Sequence, residues 1–253
     1  MQLNDRTVVI TGAARGLGAA MAERLAGEHA NLALLDMDAA GLEAIQAKCA
    51  SHGIDARAYT LNVADEDQVV NAYAQIAADF GTVDASIANA GILRDALLVK
   101  ASNQKIESQM SLQDWQAVVD VNLTGVFLCG REAAKQMIQT NTMGCIINIS
   151  SVSRAGNFGQ SNYSAAKAGV AALTVVWAKE LSRYGIRSNA IAPGLVATEI
   201  VSKMKPVVLE KMASTIPAGR LGAPEEIADT VIYLLKNDYV NGRVIEVDGG
   251  LRL

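Results

Sequence analysis

A chain of 253 residues that is 51% hydrophobic and 19% charged, with a formal charge of −4, is too apolar for a disordered protein and long enough for a substantial core. The acidic balance, without any basic run, argues against nucleic acid or an anionic membrane as the main partner. Aromatic residues make up only 4%, so core volume must come from Ala, Val, Ile and Leu, the palette of a parallel sheet buried by helices on both faces.

Along the chain, apolar runs of strand length alternate with longer segments of helical period. A strand at 8–10, a helix over 18–27, a strand at 32–35 and a helix over 42–49 open the chain as a βαβ unit. The rhythm continues with a strand at 58–61, a helix over 67–80, a strand at 85–88, a long helix over 112–138 and a strand at 146–149. A helix over 165–181, a strand at 188–192 and a closing strand at 244–247 complete the set. Right-handed crossovers arrange these elements as one α/β domain spanning 1–253, a doubly wound parallel sheet of about seven strands with helices on both faces. Two segments, 100–111 and 196–222, break the pattern. Excursions of this length cover a site or move, and a surface insertion without a role is an equal alternative for 100–111.

Cys49, Cys129 and Cys145 are odd in number and far apart, which fits neither a disulfide framework nor a zinc ribbon. His29 and His52 have no nearby Cys or second His, so no metal site is expected. Residues 1–9 lack a basic segment leading into an apolar one, and no uncharged apolar run approaches the ~20 residues of a membrane span. The expectation is a reduced, cytoplasmic protein without a membrane partner.

After the first strand, Thr11-Gly12-Ala13-Ala14-Arg15-Gly16-Leu17-Gly18 opens a helix. Gly12, Gly16 and Gly18 let the backbone turn tightly and let the helix amino terminus approach a pyrophosphate, with Arg15 and Leu17 beside it. A glycine cluster alone also describes an ordinary turn. Asp36 ends the next strand 18 residues after Gly18, close to the ~20 at which a carboxylate meets the adenine ribose hydroxyls. It would accept bonds from the diol and repel a 2′-phosphate, which favours NAD over NADP. Arg15 pulls the other way, since a guanidinium can pair with that phosphate, but a buried Asp36 outweighs it. The plain alternative for Asp36 is a turn cap at a strand end.

Tyr163 and Lys167 are four apart, on one face of a helix. Chance also supplies such pairs on ordinary helix surfaces. Ser150 ends an apolar strand 13 residues before Tyr163, where ligands sit in this architecture, although a turn hydroxyl, as expected of Ser151 and Ser153, is its plain reading.

Taken together, Thr11 to Gly18, Asn89-Ala90-Gly91, Asn122, Ser150, Tyr163 with Lys167, Pro193-Gly194 and the closing Val247-Asp248-Gly249-Gly250 resemble the short-chain dehydrogenase/reductase family over essentially the whole length. The resemblance implies a Rossmann fold and hydride exchange between a nicotinamide dinucleotide and a carbonyl or secondary alcohol. It gives Tyr163 the acid/base role, with Lys167 beside it to lower its pKa and to bind the nicotinamide ribose. Ser150 would donate to the substrate oxygen, and Asn122 would anchor a water relaying protons to Lys167. A helix-kink residue is the other reading of Asn122, and both can hold. Asn62 and Val63 would lie near the adenine, where Asn62 replaces the family's usual Asp, and Asn89, Ala90 and Gly91 would line the adenosine side. Ala88 stands where the family has a further Asn, which puts one strand-to-strand bond in question. Pro193 and Gly194 lead into a segment in which the Val196 backbone and the Thr198 hydroxyl would hold the carboxamide.

At branch level, Ile92 to Asp95, Asn157 to Asn162 and the ending Gly249-Gly250-Leu251 resemble 3-oxoacyl-acyl-carrier-protein reductases. Two departures stand out: Asp36 where that branch mostly uses NADP, and an uncharged 139–143 where related reductases carry a basic patch for an acidic carrier. A 3-oxoacyl thioester of a carrier protein or coenzyme A is the leading substrate. A dehydrogenase of small or cyclic secondary alcohols and a non-catalytic dinucleotide-binding protein are the alternatives. The helix after Tyr163 is apolar almost all round, as is the one around Val126. They are expected to pair with two-fold mates in a homo-oligomer that the family resemblance makes a tetramer, unless neighbours in the subunit bury them.

Overall fold

The computed structural model describes residues 1–198 and 206–253. Seven strands, β1 (Thr7–Thr11), β2 (Asn31–Asp36), β3 (Ala56–Thr60), β4 (Ala85–Ala88), β7 (Cys145–Ile149), β8 (Arg187–Pro193) and β9 (Val244–Val247), form one sheet in the order β3-β2-β1-β4-β7-β8-β9. Every pairing within it is parallel, so this is the doubly wound Rossmann architecture expected.

The two-residue period of the strands builds two cores. Val8, Ile10, Leu32 and Leu34 pack on one side against α1 (Gly16–Ala26), α2 (Ala39–Ala50) and the late helix Pro224–Lys236, through Met21, Leu25, Leu42 and Val231. Val9, Ala33, Leu35 and Ile146 face the other way, toward Tyr73 and Ile76 of α3 (Glu66–Phe80), Ala133 and Met137 of α5 (Gly125–Gln139) and Val170 and Trp177 of α6 (Ser161–Glu180). Strands buried on both faces read as near-continuous apolar runs, which is why they were legible.

Three departures from the expected elements matter for function. The helix expected over 112–138 is α4 (Leu112–Val119), a π-helical turn (Asp120–Thr124) and α5. Such wide turns interrupt the regular hydrogen-bond ladder and gather at functional sites. The segment 100–111 holds an antiparallel hairpin, β5 (Val99–Ser102) and β6 (Lys105–Gln109), turned by Asn103 and Gln104 at φ of 49° and 60°. All nine strand residues are exposed, so no apolar face announced it. The excursion 196–222 carries α7 (Pro206–Ser214), and its part at 199–205 lies outside the described residues. The helix Pro224–Lys236 is α8. No helix among the described residues is long and apolar enough to cross a membrane.

Candidate active site

Strand order reverses between β1 and β4, and a cleft of about 490 Å³ opens there at the strand carboxyl ends. Gly12, Arg15, Leu17 and Asp36 line it on one side, Asn62 and Val63 on another, and Asn89, Ala90 and Gly91 below. The glycines close the loop physically. Gly12 sits at φ +65°, and a Cβ on Gly18 would lie 2.0 Å from the Gly12 carbonyl oxygen. No side chain caps α1 and no acid stands in its first turn, whereas Asp38, Asp65 and Ser111 cap α2, α3 and α4. Free N–H groups and the positive end of the dipole therefore face the glycine loop, an arrangement that suits a pyrophosphate.

Asp36 is half-buried, not buried as expected, because β2 ends at the cleft wall. Its two oxygens accept the Ala14 and Asp38 N–H groups, each at 3.1 Å, which fixes the carboxylate. Arg15 is exposed and has no ion pair among the described residues. Asn62 Oδ1 accepts the Ala64 N–H at 3.0 Å, while its own N–H goes to Gln68. Asn89 acts as a stitch: its Nδ2 donates to the Thr11 and Gly12 carbonyls at 3.0 and 3.1 Å. Thr11 Oγ1 accepts from both the Asn89 and Ala90 N–H groups, so β1 and β4 are tied beside the buried Ala88 without a second asparagine. On the next loop, Pro193 ends β8 and the Gly194 N–H meets the Val247 carbonyl at 2.9 Å. Val196 is buried and its carbonyl accepts the Thr198 N–H. The Thr198 methyl comes within 3.9 Å of where a Gly16 Cβ would stand, so this loop reaches the start of α1.

The other group of residues gathers at the ends of β7 and α6. Ser150, 2% exposed, donates its hydroxyl to the Lys167 carbonyl at 2.9 Å. Lys167, 3% exposed, donates Nζ to the Ile149 carbonyl at 2.7 Å and lies 5.6 Å from the Tyr163 ring centroid. Burial pushes its amine down to about 8. The Tyr163 phenol moves up, the reverse of the expectation: burial dominates, a hydrogen bond with Ser151 opposes it, and Asp95 adds to the rise. The physical reason is desolvation of the phenol, which outweighs the single hydrogen bond that opposes it, and Lys167 is not among the groups that shift it. Asn122, fully buried, gives both ends of its amide to Ile92, accepting the N–H at 2.8 Å and donating to the carbonyl at 2.9 Å. The side chain thus clamps the cleft floor below Gly91, and it stands in the widened turn that interrupts the regular helix.

A family model described as enoyl-(acyl carrier protein) reductase matches residues 12–252. The 3-oxoacyl-[acyl-carrier-protein] reductase of Thermotoga maritima is 39% identical over 254 residues, covering 99% of both chains. That of Synechocystis is 39% identical with 98% of both chains covered, and a (3R)-3-hydroxyacyl-CoA dehydrogenase of Canis lupus familiaris is 38% identical over 99% of this chain and 98% of its own. The chain belongs to the short-chain dehydrogenase/reductase family. It is an oxidoreductase of CH–OH groups, and its cofactor is a nicotinamide dinucleotide.

For a member of this family, several residues of the cleft were not read from the sequence. Ile92 holds the cleft floor through its backbone bonds to Asn122, which leave no pattern in its own side-chain chemistry, and the Thr11 hydroxyl, seen only as the start of the glycine motif, accepts the Asn89 and Ala90 N–H groups. Asp38 adds a second carboxylate to the wall that bears Asp36, and its signal is visible as an N-cap before α2. Ser151 was read as a turn hydroxyl; it caps the 3-10 turn Val152–Ala155 and also meets the Tyr163 phenol.

Proposed function

We propose that this protein reduces the 3-oxo group of an acyl thioester, linked to coenzyme A or an acyl carrier protein, to a 3-hydroxyl, with NADH as reductant. When bound, the dinucleotide supplies the hydride. The observation that carries the reading is the grouping of half-buried Tyr163 with buried Lys167 and Ser150 where the end of β7 meets α6, in a chain whose relatives are named for that chemistry. Tyr163 donates the proton to the substrate oxygen, and a raised pKa keeps the phenol in its donating form at neutral pH. Lys167 is still largely protonated there, and on reorienting from the Ile149 carbonyl it binds the nicotinamide ribose and steadies the emerging phenolate. Ser150 turns its hydroxyl from the Lys167 carbonyl to the oxygen that gains charge. Asn122 clamps Ile92 through both ends of its amide and, in this reading, anchors the water that relays protons to Lys167. Asn62, Val63, Asn89, Ala90 and Gly91 line the adenosine end, and Pro193, Gly194, Val196 and Thr198 the nicotinamide end. The fully reduced, buried cysteines accord with a cytoplasmic location.

Two carboxylates, Asp36 and Asp38, on the wall facing the adenine ribose support NAD over NADP. NADH should therefore exceed NADPH in kcat/KM with acetoacetyl-CoA, and Asp36→Ala should narrow the gap by removing both the diol acceptor and the repulsion. Steady-state kinetics with that thioester and with a simple ketone, each with both cofactors, tests the reading. A preference for NADPH overturns the cofactor choice, and turnover of the ketone alone overturns the thioester.

Assembly follows from the outer face of α5 and α6. Trp177, Val170 and Ala166 are buried within the subunit, which accounts for part of the apolar surplus. Phe127, Val175 and Val176 remain 41, 38 and 44% exposed, alongside exposed Ala165, Ala168 and Ala172. Pairing of these helices with two-fold mates covers that strip. Light scattering at micromolar concentration should give about four times the 26.6 kDa of one chain, and Ala172→Glu should dissociate the assembly and lower activity. A monomer mass for the parent protein refutes the interface.

A further inference from the structure

Helix α6 begins without a side-chain cap, because Gln160 at its N-cap accepts no bond from the first turn. Its leading N–H groups still need acceptors. Asn162 provides one from inside the helix, its Oδ1 accepting the N–H of Tyr163 at 2.8 Å. The other end of the same amide leaves the helix: Nδ2 donates to the Arg94 carbonyl at 2.9 Å and to the Asp114 carbonyl at 3.3 Å. This side chain is 0% exposed. One buried amide therefore joins the first turn of α6, the segment after β4 and α4. Asn122 holds that segment two residues earlier, at Ile92, so 92–94 is clamped at both ends by asparagines. Nearer the surface, Gln160 to Asp95 at 3.0 Å and Ala96 to Gly159 at 2.9 Å run alongside.

We propose that Asn162 is a positioning residue for proton transfer: its amide locks the turn that carries Tyr163 against 92–94, and so sets the distance from the phenol to the substrate oxygen. The proposal rests on Tyr163 being the proton donor. A polar side chain with this many backbone partners, placed next to the acid yet sealed from the cleft, can act only through geometry. Geometry is decisive because a displacement of ~1 Å in a reacting group can cost ~100-fold in rate.

Asn162→Ala and Asn162→Asp in the full-length protein test this. The Asp variant keeps an acceptor for the Tyr163 N–H but cannot donate to the two carbonyls, so it separates the two halves of the contact. Both variants should lose at least ~10-fold in kcat, while the Kd for the dinucleotide, read by fluorescence, stays within about twofold. Amide hydrogen exchange should quicken in peptides covering 92–96 and 161–165. Asn162→Ser, which retains a smaller hydrogen-bonding group, should fall between parent and Ala, and it takes over the test if the Ala variant does not fold. A kcat within about twofold of the parent overturns the proposal, as does a kcat loss matched by an equal loss of cofactor affinity. The exchange measurement needs no substrate. Parent-like turnover in Tyr163→Phe would sink the donor assignment beneath the proposal, whereas parent-like turnover in Asn162→Ala sinks the proposal alone.

Discussion

Replacing Tyr163 with Phe should cut turnover by at least ~100-fold while leaving dinucleotide affinity nearly unchanged, the scale of a lost general acid. The substitution keeps the ring and removes only the hydroxyl, so the packing of α6 is preserved. What disappears is the group whose pKa is raised by burial, with Ser151 opposing and Asp95 adding. In the proposed reading cofactor binding rests chiefly on other residues, among them Gly12, Asp36 and Asn89, which line the cleft. Binding titrations and single-turnover kinetics on the same preparation separate the two effects. Near-normal reduction of acetoacetyl-CoA by Tyr163→Phe would show that another group protonates the product. Ser151, whose hydroxyl meets the phenol, would then be the first place to look.

What the sequence disclosed and what it hid follow from which groups carry the structure. The strands were legible because Val8, Val9, Ile10 and their counterparts in β2 and β7 are buried on both faces, so the apolar run itself is the signal. The glycine loop was legible because Gly18 stands where any Cβ would strike the Gly12 carbonyl. The hairpin β5–β6 was not, since an exposed two-stranded sheet needs no alternation and its Asn103-Gln104 turn lacks a glycine. The π-helical turn was equally silent, being a change in backbone ladder within an unbroken helical period.

At the site, the sequence named Ser150, Tyr163 and Lys167 as a group, which the structure brings together, but not the direction of their bonds. Ser150 and Lys167 were expected to point at substrate and cofactor, yet each gives its proton to a backbone carbonyl of the β7–α6 junction. Asn162 shows the same limit from the other side. Its neighbour Tyr163 has an obvious chemistry, whereas the importance of Asn162 lies in three backbone partners at sequence distances of 1, 48 and 68. No local pattern encodes contacts of that kind.

Lys167→Ala should damage both turnover and cofactor affinity, by ~100-fold or more in kcat, because the proposed reading gives one buried amine two roles. The parent enzyme carries a signature by which that amine can be recognised. Burial lowers its pKa from 10.5 to about 8, so the folded protein loses the ammonium as pH rises through about 8. For reduction, kcat/KM, which reports the free enzyme, should fall above that pH. The linked effect on stability has the opposite direction. Between about 8 and 10.5 the unfolded chain binds a proton at Lys167 that the native state does not, so stability contributed by this group rises with pH across that window. Lys167→Met, which fills the same space without a charge, should abolish the activity limb and flatten the rise in stability together. Retention of both in the Met variant would place the titrating group elsewhere. Loss of the activity limb alone would keep Lys167 as the group that titrates in turnover and assign the rise in stability to other groups.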